Sequence, residues 1–207
     1  MYNLINIHIQ SILGTIPLYH VQEYDWLIQY LNQCATPLYQ RRYKRYWKLN
    51  SARLSANYCN VYFNSLQEAQ VNIPAIENLL LQLYNTPVHR NDQQSLQLSF
   101  TSKLIHMVNP NAPIYDSNVA DFYFFYTPNF RRPVQIRINT FNEFYTFLVQ
   151  EYARILNGNL LAPSIQAFRQ RFNPIYFTDE KIIDSLIWAY VDMLKNGALV
   201  GGTVLYV

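Results

Sequence analysis

A chain of 207 residues, 50% hydrophobic, is long enough to bury a core of its own. Charged residues reach only 14%, against roughly 25% in ordinary domains. The polarity comes instead from 21 Asn, 15 Gln and 18 Tyr, a mixture suited to stacking and hydrogen bonding that an A·T-rich genome would also produce. With 5 Gly, phosphate-cradling glycine loops are nearly excluded, and no P-loop, GxGxxG, HExxH, CxxC or GxSxG motif occurs. Cys34 and Cys59 form neither a disulfide framework nor a metal spacing, and the four His are scattered. No apolar run approaches the ~18 residues that span a membrane, and "MYNLINIHIQ" lacks a basic signal-peptide start. The expectation is a cytoplasmic protein with no membrane partner, no metal and no small-molecule cofactor.

Net charge is only +3, but its distribution is uneven. From Trp26 through Gln67 there is no acid, while Arg41, Arg42, Lys44, Arg45, Lys48 and Arg53 give that window a formal charge of +6. Such a stretch is either a phosphate-binding surface or a solvated helix face.

Helical periodicity dominates. "YDWLIQYLNQC" places Trp26, Leu27, Tyr30 and Leu31 on one face. Pro37 opens "PLYQRRYKRYWKLN", where Tyr39, Tyr43, Tyr46 and Trp47 form an aromatic stripe beside the basic residues. "SARLSANYCNVYFNSLQEA" predicts a third helix capped by Asn50 or Ser51, and "PAIENLLLQLY" a fourth. "NTPVHRNDQQ" is a loop. "SLQLSFTSKLIHMV" predicts a helix with a break near Ser99, ended by Asn109-Pro110. After Asp116, "SNVADFYFFY" is a short helix with an aromatic face. Val134, Ile136 and Ile138 alternate with Gln135 and Arg137, the pattern of a short strand or extended loop. Thr140 and Glu143 form a capping box for "FNEFYTFLVQEYARIL", which Gly158 ends. "SIQAFRQRF" and "DEKIIDSLIWAYVDMLKNG" are two more helices, and a small hairpin is placed around Gly201-Gly202. The sum is a compact all-α fold of about nine helices. It forms a single domain over 1–207, or two lobes of roughly 1–88 and 89–207.

Asp116 stands alone, the only acid between Gln93 and Ala120. Its position suits a helix N-cap. It also suits the carboxylate of an N-glycosidic bond cleavage, in which a single carboxylate stabilises an oxocarbenium-like transition state and orients water without a metal.

The 20-residue stretch "FTSKLIHMVNPNAPIYDSNV" resembles the core of helix-hairpin-helix DNA glycosylases, in particular the branch with the 8-oxoguanine DNA glycosylase fold. "KIIDSLIWAY" is similar to the closing helix of bacterial members. In that family a helix is followed by a short link of the form P-hydrophobic-x-D, whose Asp is catalytic. Pro113-Ile114-Tyr115-Asp116 matches it, and Ser102 and Lys103 fall where the preceding helix faces the DNA backbone. Two departures stand out. The family's Gly-x-Gly hairpin has no counterpart, because Arg90 to Ser102 contains no glycine. Bifunctional members carry a Schiff-base Lys roughly 19 residues before the Asp, where this chain has Gln97.

The resemblance implies a base-flipping enzyme acting on double-stranded DNA that carries a modified base. It would be monofunctional and leave an abasic site. Arg41, Arg42, Lys44, Arg45, Lys48, Ser102, Lys103, Arg131 and Arg132 would hold the phosphates, and Trp47, Tyr115 and Asn118 would line the base pocket. Asp116 would carry the chemistry, kept charged by the amide of Ser117 or Asn118. The excised base would be an oxidised purine or a modified phage base such as glucosylated hydroxymethylcytosine. The altered hairpin favours a prokaryotic antiviral role over housekeeping repair. The competing classes are a non-catalytic DNA-binding module of the same fold and an interaction protein with a Tyr-rich groove.

Overall fold

The computed structural model describes residues 1–88 and 94–198. Among these, eleven α-helices and two short 3₁₀ turns account for the regular structure, and there is no strand. The all-α class therefore holds. Two helices beyond the expected set lie at the N-terminus, α1 (Tyr2–Ile7) and α2 (Ile9–Thr15), hinged at His8. Each spans less than two turns, too short for an apolar pattern to repeat, and both anchor through Ile5, Ile12 and Leu13, which are fully buried.

The third helix, α3 (Leu18–Gln29), starts earlier than the apolar run suggests, with Pro17 at its N-cap. In α4 (Pro37–Tyr46), Pro37 sits in the first turn and the Thr36 side chain accepts the Tyr39 amide. The next helix, α5 (Ala56–Ala69), is capped by Ser55, not by Asn50 or Ser51. Those two residues sit in a 3₁₀ turn between Lys48 and Arg53, both in left-handed backbone. The following helices are α6 (Ile76–Tyr84), α7 (Leu98–Val108) and α8 (Ser117–Phe122). The predicted break near Ser99 corresponds to the true start of α7 at Leu98.

The expected strand or extended loop at 134–138 is instead the first turn of α9 (Val134–Asn157). Val134 and Ile138 are four residues apart and continue the buried stripe of Phe141, Phe144, Tyr145, Leu148 and Tyr152, so a short alternating pattern was in phase with a helix. The Thr140 capping box is absent for the same reason: Thr140 lies inside α9, and its hydroxyl donates to the Ile136 carbonyl at 2.9 Å. Then come α10 (Ala162–Phe172) and α11 (Asp179–Lys195), the latter capped by Thr178. The hairpin expected around Gly201-Gly202 lies outside the described residues, as does part of the glycine-free stretch that begins at Arg90.

The central element is α11. It packs on α8, α2, α10, α1 and α9, and ten of its residues are buried. On the other side α3 packs on α4, while α5, α6 and α7 pack together and α6 reaches α9. The abundant tyrosines explain themselves here. Tyr24, Tyr39, Tyr43, Tyr58, Tyr62 and Tyr152 are core residues, so the Tyr39–Tyr43 part of the stripe on α4 is packing and not a binding face. Most of these hydroxyls find partners, as buried Tyr requires. Tyr43 and Tyr62 pair at 2.8 Å, Tyr62 donates to the Phe100 carbonyl, and Tyr39 donates to that of Leu27.

His106 joins α7 to this core. Its Nδ1 donates to the Ala112 carbonyl at 2.7 Å, which leaves Nε2 to accept the Tyr24 hydroxyl at 2.7 Å. The neutral Nδ1–H tautomer makes both bonds, and complete burial favours it over the charged ring. Burial, reinforced by the Lys181 charge, pushes its pKa down to about 3. His20, stacked on Tyr46 at 4.3 Å, is lowered to about 4, again mainly by burial. A lowered histidine stabilises the fold fully above its unfolded value of 6.5, and that contribution is lost as pH falls toward the folded value. Unfolding free energy is therefore expected to fall between pH 6.5 and 4 by roughly 1.4 kcal/mol per pH unit for each of these histidines. Denaturant titrations across that range will show it, and His106→Gln should roughly halve the slope.

Candidate functional site: an aromatic cavity at the start of α8

The link from α7 to α8 is held from below. Ser102 is completely buried; its hydroxyl accepts the Tyr115 amide at 3.0 Å and contacts the Ser99 carbonyl at 3.1 Å. Ser102 thus fixes Pro113–Asp116 against α7 and is unavailable to a phosphate, a correction to its expected role. The Tyr145 hydroxyl adds a bond to the Pro113 carbonyl. This pinned link delivers Asp116 to the N-cap of α8, where Oδ1 accepts the Val119 amide at 3.0 Å. The amide that holds Asp116 is therefore that of Val119, three residues on, rather than that of Ser117 or Asn118.

Asp116 opens onto a cavity of about 890 Å³. The floor and walls come from the α2–α3 turn, the end of α4, the start of α7, the Ile114–Asp121 segment, Phe125–Thr127 and one face of α11. Trp47, Tyr115 and Lys103 line it, as does Lys48, so four separately expected residues meet around Asp116. Asn118 does not join them. It is buried against α11, where Nδ2 donates to the Trp188 carbonyl and Oδ1 accepts from Lys195.

Lys103 Nζ donates to Ser99 Oγ at 2.8 Å and lies 5.6 Å from the Trp47 ring centroid. Burial lowers its pKa; Asp116 and Asp184 pull it back up, while Lys181 and Lys48 push it further down. These charges thus feel one another across a single site. Lys48 reaches it because left-handed backbone (φ 58°) ends α4 and turns the chain back; its ammonium sits 5.3 Å from the Trp188 ring.

The rest of the basic surface is less free than the sequence suggests. Glu23, just outside the acid-free window, folds onto α4 from α3. It takes Arg42 in a two-pronged bridge at 2.8 and 2.5 Å and contacts Arg45 at 3.4 Å. Arg42 also stacks on Trp26 at 3.6 Å. Arg42 is thus a structural residue, whereas Arg41, Arg45 and Lys48 remain exposed. Arg131 and Arg132 are exposed on the loop before α9.

Sequence reasoning read α11 as a helix but placed no site residue on it. Lys181, Asp184, Ser185, Trp188 and Asp192 all line the cavity from this helix. Lys181 and Asp184 form a buried ion pair at 2.8 Å, and the ammonium lies 5.3 Å from the Tyr24 and Trp47 rings. Burial raises the Asp184 pKa, and the pair with Lys181 pulls it down. The signal was present as charges at helical spacing inside an otherwise apolar run. Three buried polar atoms among the residues lining the cavity lack a protein partner: Asp184 Oδ1 on α11, and Trp47 Nε1 and Tyr46 Oη at the end of α4.

No family model, curated protein or solved structure matches this chain.

The functional reading therefore rests on the cavity's own chemistry. Its walls offer aromatic faces for a flat ligand, a carboxylate at a helix start, and a buried pair of opposite charges. Among the described residues, no three His, Cys, Asp or Glu side chains come together as a metal site. No described helix is long and apolar enough to cross a membrane.

Proposed function

We propose that the protein is a DNA glycosylase of the helix-hairpin-helix type, which extrudes a modified base into this cavity and hydrolyses its N-glycosidic bond. One observation carries the reading: Asp116, with Oδ1 tied to the Val119 amide, faces an aromatic cavity that also holds Lys103, Trp47 and Lys48. In this reading the exposed Arg41, Arg45, Lys48, Arg131 and Arg132 engage phosphates, and the flipped nucleotide costs a few kcal/mol of unstacking. The aromatic walls take the base. The Asp116 carboxylate stabilises the cation at C1′ and guides water to it.

Cavity size supports a bulky substrate. About 890 Å³ lies near the top of the range of roughly 300–1,000 Å³ that small-molecule pockets span. A glucosylated hydroxymethylcytosine of phage DNA uses such space better than an oxidised purine, and an antiviral role follows from that substrate. The test is to incubate the protein with unmodified, oxidised and glucosylated phage DNA and to count aldehyde-reactive abasic sites. Sites confined to one DNA class support the proposal and name the substrate; no sites on any class overturn it.

The depressed pKa of Lys103, its amine in the same cavity as Asp116, favours a second reading with strand-cutting activity through a Schiff base. The cation–π contacts of Lys103 with Trp47 and Phe100 favour a retained ammonium and hence the monofunctional enzyme. Borohydride added during turnover decides between them. The expected result is no covalent protein–DNA adduct. An adduct that disappears in Lys103→Gln would assign the amine.

A further inference from the structure

Lys48 and Arg53, with φ 58° and 51°, bracket the 3₁₀ turn Leu49–Ala52 in left-handed backbone. Side chains of their size rarely adopt it, so one short segment carries strain at both ends. Two of the bonds around it are long: the Lys48 amide reaches the Arg45 carbonyl at 3.3 Å and the Arg53 amide that of Asn50 at 3.4 Å, against about 3.0 Å for an ordinary amide bond. Leu49 is buried, and Ser55 is tied to the Val88 and Pro87 carbonyls, which hold the segment in place. The strain serves to place one side chain. Lys48 is exposed, yet its ammonium lies 5.3 Å from the Trp188 ring on α11. Both residues line the Asp116 cavity, and because Lys48 is exposed the contact lies where that cavity meets water.

The ring is a weak partner for an ammonium at the surface, and nothing stronger competes for Lys48. The acids that line the cavity have other partners: Asp116 the Val119 amide, Asp121 Lys195, Asp184 Lys181, and Asp192 the Asn196 side chain. Among the described residues no carboxylate pairs with Lys48. Lys103 and Lys181 line the same cavity, and the Lys48 charge reaches Lys103. A further ammonium held near them gains by moving toward an anion.

We propose that Lys48 is a gate at the cavity mouth, closed onto the Trp188 ring in the free protein and drawn off it by a phosphate. Ring and phosphate are alternative partners of one ammonium, so phosphate binding and entry into the cavity favour each other. The proposal rests on the glycosylase reading for the source of the phosphate, a DNA backbone, and concerns regulation of that same site.

The protein has three tryptophans. Incorporated 5-fluorotryptophan gives each a fluorine NMR signal, and Trp188→Phe identifies the one at the gate. Lys48→Met is expected to shift the Trp188 signal of the free protein and leave that of Trp26 in place. Unmodified duplex DNA should move the wild-type Trp188 signal toward its position in Lys48→Met and move the variant's far less. Inorganic tripolyphosphate is run in parallel. A response to DNA assigns the trigger to the polymer backbone; a response to tripolyphosphate alone keeps the gate and assigns the trigger to a free phosphate. Signals that coincide in the two free proteins, move equally in wild type and variant, or respond to neither probe overturn the gate.

Affinity for the probe that moves the signal gives a second test. Trp188→Leu removes the ring and keeps the main-chain carbonyl that Asn118 uses. Lys48 then has no partner to leave, so binding is expected to tighten about two- to fivefold, and the gain should vanish in the Lys48→Met background. A ring that only packs or stacks would not give tighter binding on removal. Unchanged or weaker binding, or the same gain without Lys48, overturns the gate. Neither assay needs excision. If no DNA yields abasic sites, the glycosylase reading fails and both readouts still decide the gate; if excision occurs and the Trp188 signal stays fixed, the gate alone fails.

Discussion

Asp116→Asn is expected to abolish abasic-site formation while leaving duplex affinity unchanged or higher. The substitution is nearly isosteric, and Asn caps helices as well as Asp does. Its side-chain oxygen can still accept the Val119 amide, so α8 should start in the same place. Only the negative charge is lost. A carboxylate aimed at developing positive charge acts in the transition state, so its loss should lower the single-turnover rate by at least about 10²–10³-fold. Removing a negative charge from a surface that meets phosphates should not weaken binding. Single-turnover site counting, a gel shift and a thermal melt on the same preparation separate the three quantities. If the variant excises like wild type, Asp116 is only a cap. If neither protein excises but both bind DNA with a steep dependence on salt, the chain is a binding module. Weak binding that is indifferent to salt points to the interaction protein.

The second large effect is expected at the buried pair on α11. Lys181→Met removes the cation that Asp184 faces at 2.8 Å and leaves a carboxylate in a site where both residues are about 95% buried. Breaking one side of such a pair costs about 3–5 kcal/mol, which lowers the melting temperature of a chain of this size by roughly 10 °C. The double variant Lys181→Met with Asp184→Leu should recover most of the loss, because the uncompensated charge goes with its partner. The sign with pH follows from the raised pKa of Asp184, caused first by burial and then by the Asp116 charge. A raised carboxylate favours the fold below its unfolded pKa, and that advantage disappears as pH rises through the folded value. The deficit of Lys181→Met relative to wild type should thus be largest at neutral pH and shrink toward pH 4. A single variant as stable as wild type at pH 7 would mean that water reaches Asp184 through the cavity.

A pair so costly to bury, with one carboxylate oxygen unmatched, is poorly explained by stability alone. Both members of the pair line the cavity together with Trp188.

Much of the architecture could be read from the residues. Pro37 and the run of Tyr at three- and four-residue spacing define α4 without reference to any other element. Thr178 followed by Asp179 and Glu180 marks the start of α11. Misplaced boundaries arose where a pattern served two periods. Val134, Ile136 and Ile138 alternate like a strand, yet two of the three fall on one helical face, and only packing against the core settles which period applies. Asn50, Ser51 and Ser55 are all good caps; the last is used because its amide and hydroxyl are taken by the Val88 and Pro87 carbonyls across the fold.

Local patterns suffice to make the chain helical, to start a helix at Asp116 and to cluster basic residues along α4, because each depends on neighbours only a few positions away. Which of those residues share a site depends on how distant helices pack. Glu23 comes from another helix to occupy Arg42, and Ser102 and Asn118 turn inward to hold the frame. Lys103 and Asp184, 81 positions apart in the chain, come from α7 and α11 to line one cavity with Asp116. Charge and hydrogen-bond partners act over a few ångströms, and which groups lie that close is set by how the helices pack.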